Sequence, residues 1–397
     1  MSEECVAHPR TVTSRRPEGS TGLYSQSATV ADALCERLAL AAYEPAGSGL
    51  DAADLLERWE DDERVRLVVL CLDALGDPRR FAAVASRVGR RKPVLLFETG
   101  RPLPDGESGS RLASAVTPGV AMGALAAATG LLRFTTLGEL VDTARLLAAQ
   151  PLPRGRRVAL VGDPADAGTL IAAACERAGL VVAGSAADAD ALLAVSPGLA
   201  AHPGKTMVAC SLGRQGADGP VPHYPYPDQA IRALARAARY AEWRRCSHEP
   251  PAPAPVACGL PDPVALLNGF GISVTAATPP GVEVIVGAVN HLVYGPLVMV
   301  QTGGPIADLL VDRSFRVPPF GIATAAEMIA DLHCSPLLYG YRGRRKADTE
   351  ALAALVRAVG QLILTLPEVA ELELSPVTVT ADGAVVTDTA IRLVSRA

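Results

Sequence analysis

Ser25 and Ser27 flank Gln26 where an apolar run gives way to Ala28–Thr29–Val30, a strand-to-helix turn by pattern. Hydroxyls and free backbone N–H groups at such a turn suit an anion, and the same placement serves an ordinary serine N-cap. Asp73 follows the apolar run Leu67–Leu72. Its carboxylate can cap a helix or meet an arginine. Near the far end, Glu371–Leu372–Glu373–Leu374–Ser375–Pro376 alternates acid and leucine, so Glu371, Glu373 and Ser375 share one face of a strand. By pattern it reads as a plain half-buried edge. The histidines at 8, 202, 223, 248, 291 and 333 lack metal-ligand spacing. His223 reads as a loop residue within its proline-flanked segment, and a Cys–His nucleophile pair built from Cys334 or Cys210 is open in principle.

The elements that position these residues are legible as alternating strands and amphipathic helices, an α/β pattern. Leu67–Leu72 is a continuous apolar run suited to a buried parallel strand. A helix is expected over 81–88, a strand over 94–97 and a helix over 137–149 that ends at Pro151-Leu152-Pro153. A second unit opens with a strand at 157–162 and a helix over 166–178, continues through strands near 192–195 and 207–210, and closes with a helix over 228–245. Pro250–Pro255 reads as an extended linker. The last segment starts with a short helix near 263–270. It continues with strands over 282–289 and 296–301, helices over 324–332 and 349–364, and strands over 370–374, 377–380 and 384–387. The expected division is a polar tail over 1–20, an α/β domain over 21–150, a shorter one over 151–248, the linker over 249–256 and a carboxyl-terminal domain over 257–397.

Three groups of residues resemble the NDP-forming acyl-CoA synthetase family. Tyr24–Ser25–Gln26–Ser27, Arg79-Arg80-Phe81 and Arg91-Lys92-Pro93-Val94 resemble its succinyl-CoA synthetase-like, flavodoxin-type domain. Residues 150–158 and 233–243 resemble the start and the closing helix of the next domain. Pro280–Gly287 and Tyr294–Val300 resemble the carboxyl-terminal lobe of its ATP-grasp domain. The resemblance implies flavodoxin-like succinyl-CoA synthetase-type domains followed by a partial ATP-grasp lobe. It also implies ATP, CoA and magnesium as the family's cofactors, and a histidine that ferries a phosphoryl group. Within Ala113–Gly119 that histidine's place falls on Val116. Asp73 stands where the family has a glutamate that orients the histidine, and Glu373 and Ser375 fall in its metal-binding motif.

The departures are as informative. Valine has no lone pair to phosphorylate. The lysines are Lys92, Lys205 and Lys346 alone, so none lies between Thr206 and Arg345, whereas the family's nucleotide lobe uses basic residues, usually lysines. Arginine matches the charge without the geometry. Between Pro255 and Pro279 there is room for a helix and a strand, not a full first lobe, and no glycine-rich dinucleotide fingerprint precedes Gly22. ATP, CoA and magnesium are therefore expected not to be retained.

The chain carries 37 Lys and Arg against 42 Asp and Glu, for a net charge of −5. With no long basic block it does not suit nucleic acid or an anionic membrane surface. Eight cysteines without a C-x-x-C pair, and no signal-like segment, point to a reducing, cytoplasmic setting. No apolar stretch of ~18 residues predicts a membrane span. The leading expectation is a degenerate homologue acting by binding, assembly or regulation, with another subunit or a second copy of itself as partner. One alternative is an enzyme rebuilt around the cleft near Ser25, Ser27, Asp73 and Thr117 for an acyl or carboxylate small molecule. The other is a ligase subunit completed by a partner chain.

Overall fold

A computed structural model of the chain describes residues 19–45, 47–98, 111–162, 167–195, 201–211, 213, 219–246, 262–304, 310–343 and 345–394. The tail up to residue 18 and the Pro-rich stretch 249–256 lie outside the described residues.

The first unit runs β1 (Thr21–Ser25), α1 (Ala28–Cys35), β2 (Leu40–Pro45), α2 (Ala52–Glu60), β3 (Leu67–Leu72), α3 (Pro78–Gly89), β4 (Val94–Glu98), α4 (Arg111–Ala115), α5 (Pro118–Thr129), β5 (Leu132–Phe134) and α6 (Leu137–Ala149). Its five strands are parallel, in the order β2-β1-β3-β4-β5, a doubly wound, flavodoxin-like arrangement. Every residue of β1 and β3 is buried, as expected of strands covered by helices on both faces. The order reverses between β1 and β3, so their carboxyl ends, at Ser25 and Leu72, flank the crevice where such folds bind ligands.

The second unit repeats the plan with β6 (Arg157–Val161), α7 (Gly168–Arg177), β7 (Val181–Val182), β8 (Ala191–Ala194), β9 (Thr206–Cys210), β10 (His223–Tyr224) and α8 (Pro227–Arg245). Its parallel order, β10-β9-β8-β6-β7, is the same topology read from the other edge. Helix α8 serves both units. Its inner residues Ile231, Leu234 and Ala238 join the second core, while Tyr240 joins the first and donates its hydroxyl to the Gly89 carbonyl at 2.7 Å. His223, expected in a loop, lies in β10 at 7% exposure with Nε2 2.8 Å from Ser211 Oγ. Pairing with β9 draws in a segment whose prolines hide the strand pattern.

The carboxyl-terminal unit contains α9 (Pro263–Gly269), β11 (Val282–His291), β12 (Gly295–Thr302), β13 (Arg313–Arg316), α10 (Ile322–Ala330), α11 (Ser335–Leu338), α12 (Thr349–Thr365), β14 (Val369–Thr380), β15 (Gly383–Val386) and β16 (Thr389–Leu393). The sheet is antiparallel in the order β13-β12-β11-β14-β15, with β16 also on β14. The two strands expected over 370–374 and 377–380 are one, because β14 runs straight through Ser375-Pro376.

Alternation decides the sheet's two faces. Val284, Val286, Val298, Val300, Leu372 and Leu374 face the helices, whereas Val289, Leu297, Met299 and Phe315 join the core of the first unit. Arg79 of α3 clasps this interface. Its guanidinium donates to the Ile363 and Leu364 carbonyls at 3.0 Å each and to Asn290 Oδ1 at 2.7 Å, satisfying last-turn carbonyls of α12 that the helix leaves open.

Candidate functional site

Ser25, Ser27 and Asp73 lie at the carboxyl end of the first sheet, beside the switch point. Ser25 is 1% exposed. Its hydroxyl donates to the Ser27 carbonyl at 2.7 Å and accepts from the Ser27 N–H at 3.2 Å, so it closes its own turn. Ser27 is the N-cap of α1, accepting from Val30 N–H at 3.4 Å. Gln26, which sequence reasoning passed over, ties the two strand ends together. Its Oε1 accepts from the backbone N–H groups of Asp73 and Ala74, its Nε2 donates to the Ala74 carbonyl, and its own N–H donates to Cys71 O. The signal was its position between two turn serines at a sheet crossover. Burial pushes the neighbouring Cys71 thiol up to about 12, so it stays protonated at neutral pH.

Val116 joins α4 to α5. It is 7% exposed and belongs to one buried apolar cluster with Leu112, Ala115, Leu297, Met299 and Phe315. Thr117 caps α5 by accepting from Val120 N–H, and Arg133 pins its start by donating to Gly119 O at 2.9 Å while pairing with Glu98. Helix α4 lies directly on β11: a Cβ placed at Gly287 would sit 3.1 Å from Leu112 Cδ2. Gly287 pairs in register with Glu373. Leu112, on the helix that leads to Val116, therefore lies over the sheet face that carries Glu371 and Glu373.

On that face Glu371 is 7% exposed and pairs with Arg392 at 2.9 Å. Glu373 is half-buried between Gly287 and Ala390, and the Ser375 N–H donates to the Asp388 carbonyl at 3.2 Å. Among the described residues no three His, Cys, Asp or Glu side chains converge as a metal site. Glu373 keeps a carboxylate on this face, and Ser375 offers a hydroxyl, a weaker hard-cation ligand than a carboxylate. The three lysines are engaged elsewhere: Lys92 on the Trp59 and Asp62 carbonyls, Lys205 on those of Ala186 and Ala187, and Lys346 over the Tyr339 ring.

The cysteine–histidine neighbours serve a buried carboxylate. Asp312, 3% exposed, accepts from the Thr302 hydroxyl, the His333 and Cys334 N–H groups and His333 Nδ1. Burial pushes the Cys334 thiol up, and Cys210 is likewise pushed up to about 11, so neither thiol is poised as a nucleophile. Burial raises the Asp312 carboxyl, but the hydrogen bonds outweigh it and hold it at about 2. A carboxyl depressed in the folded chain stabilises fully above its unfolded value, near ~4, and loses that contribution as pH falls through about 2. Asp312→Asn is expected to cost about 2 kcal/mol at neutral pH and to flatten stability between pH ~4 and ~2. Urea titrations at several pH values check this. Parallel curves for both proteins would remove Asp312 from the acid response.

No helix of the described residues is long and apolar enough to cross a membrane.

Two family models match the chain in order: the succinyl-CoA ligase like flavodoxin domain over residues 18–147 and an ATP-grasp domain over residues 262–393. Among known relatives, the beta subunit of acetate–CoA ligase [ADP-forming] I from Pyrococcus furiosus is 39% identical over 119 residues, covering 30% of this chain and 51% of that one. The alpha subunit of the same enzyme is 33% identical over 174 residues, covering 41% of this chain and 37% of that one. The 4-hydroxybutyrate–CoA ligase [ADP-forming] of Nitrosopumilus maritimus is 22% identical, with 92% of this chain and 76% of that one covered. The chain spans about half, or less, of the length of the first two relatives. A flavodoxin-like succinyl-CoA ligase domain ahead of an ATP-grasp domain, each matched by its own model and by ADP-forming ligases, makes the chain a member of the NDP-forming acyl-CoA synthetase family.

Proposed function

We propose that this family member has lost the phosphohistidine relay and acts by binding, as an assembly or regulatory subunit. The observation that carries this reading is the burial of Val116 against the carboxyl-terminal sheet, where relatives by resemblance present a histidine. A relay needs a group that accepts phosphate and a segment free to carry it. Val116 has no such group, and its side chain is buried in the apolar cluster that includes Leu297, Met299 and Phe315 of the carboxyl-terminal sheet. The lack of any lysine between Thr206 and Arg345 supports the same reading.

A rebuilt enzyme using Ser25, Ser27 and Asp73 is less well supported, because the Ser25 hydroxyl is held within its own turn and Ser27 caps a helix. A specific observation favours keeping a partner in the reading: the chain matches both an alpha and a beta subunit of one ligase. It thus carries in one polypeptide parts that are separate there, and another subunit or a second copy would be its natural associate. The test is incubation of the full chain with ATP·Mg, CoA and short carboxylates. The expected result is no CoA-dependent release of ADP, and turnover with these reagents would overturn the reading.

A further inference from the structure

We propose that the cleft between the start of α5 and β13 binds a small oxyanion with a short apolar body, a carboxylate or a phosphate monoester, with Arg313 as its charge partner. The cleft measures about 470 Å³, within the range of small-molecule sites. Arg313 and Phe315 alternate onto the same side of β13, and Phe315 belongs to the core shared with the first unit. Arg313 is therefore presented to the first unit, where Thr117 and Val120 line the opposite wall.

The other charges in the cleft cancel. Arg316 pairs with Asp331 at 2.7 Å, and Asp331 also accepts from Ser314. Arg313 is half-buried and, among the described residues, forms no ion pair or side-chain hydrogen bond. Its planar fork is thus free to match carboxylate and phosphate oxygens. Thr117 Oγ1 accepts from Val120 N–H, which leaves its O–H to donate. Ala115, Val120 and Phe315 supply apolar wall, which selects for a ligand with a short hydrocarbon tail over a bare ion. Ala115 and Thr117 bracket Val116, so the ligand would sit beside the position that lost its histidine without needing one. The inference stands whether or not phosphate is ever transferred.

Isothermal titration of the full chain with butyrate, butyl phosphate and inorganic phosphate tests it and separates the two oxyanion classes. At least one of the first two is expected to saturate in the millimolar range or tighter, and more tightly than inorganic phosphate. Arg313→Gln should weaken that ligand by about tenfold or more, the worth of one charge-assisted contact. Thr117→Val should weaken it by a smaller factor, and Arg313→Lys should bind between wild type and Arg313→Gln. Melting of each variant without ligand verifies folding. Absence of saturable binding up to about 10 mM, or equal affinity in wild type and a folded Arg313→Gln, would overturn the proposal, and neither bears on phosphoryl transfer.

Discussion

Val116→Asp is expected to lower the stability of the chain by about 4 kcal/mol, the scale of an uncompensated charge in an apolar site. The valine is 7% exposed in the same buried apolar cluster as Leu112, Ala115, Met299 and Phe315, and its side chain does not line the cleft that Arg313 borders, so an incoming carboxylate would be desolvated among apolar groups. Val116→Ala, which removes two methyl groups, should cost about 1–2 kcal/mol. Urea denaturation of the three proteins measures both. Equal midpoints for wild type and Val116→Asp would mean that the segment stands away from the sheet as a mobile arm, which contradicts its packing.

The second large effect is expected at Gly130, which ends α5 with φ +72°. Alanine there would sit in the left-handed region at a cost of about 1 kcal/mol. Its Cβ would also lie 2.3 Å from Cε3 of Trp243. The ring cannot yield cheaply, because α8 is already fixed to the first unit through Tyr240. Strain and lost packing together bring the expected cost of Gly130→Ala to about 3 kcal/mol. One of the chain's two tryptophans would move, so the fluorescence spectrum should shift along with a lower denaturation midpoint. Wild-type values for both would show that α8 does not rest on α5 as described.

The parts of the fold most legible in the sequence are those governed by local pattern. The helix expected over 137–149 is α6, Leu137–Ala149, and the apolar run Leu67–Leu72 is β3. In each, periodicity and the flanking breakers act within a few residues. Edge elements were less legible. The β13 strand, Arg313–Arg316, has two arginines in four residues and looks like solvated loop until its pairing with β12 is known. At the site, the strand-to-helix turn at Ser25–Ser27 was legible where an apolar run gives way to a helical pattern. That Ser25 is turned inward did not follow, because a hydroxyl's orientation depends on which carbonyl the turn places within reach. The burial of Val116 was likewise hidden: alternation marks one face of β11 and β12 as apolar, but not which unit covers it. The half-buried Arg313 escaped notice for the same reason.

The most direct measurement is intact-mass analysis, at neutral to alkaline pH, of the purified chain after incubation with ATP·Mg. With valine as the residue at position 116 and the lysines engaged elsewhere, the mass should remain that of the unmodified polypeptide. An acid-labile phosphoryl adduct on any residue would contradict the loss of the relay.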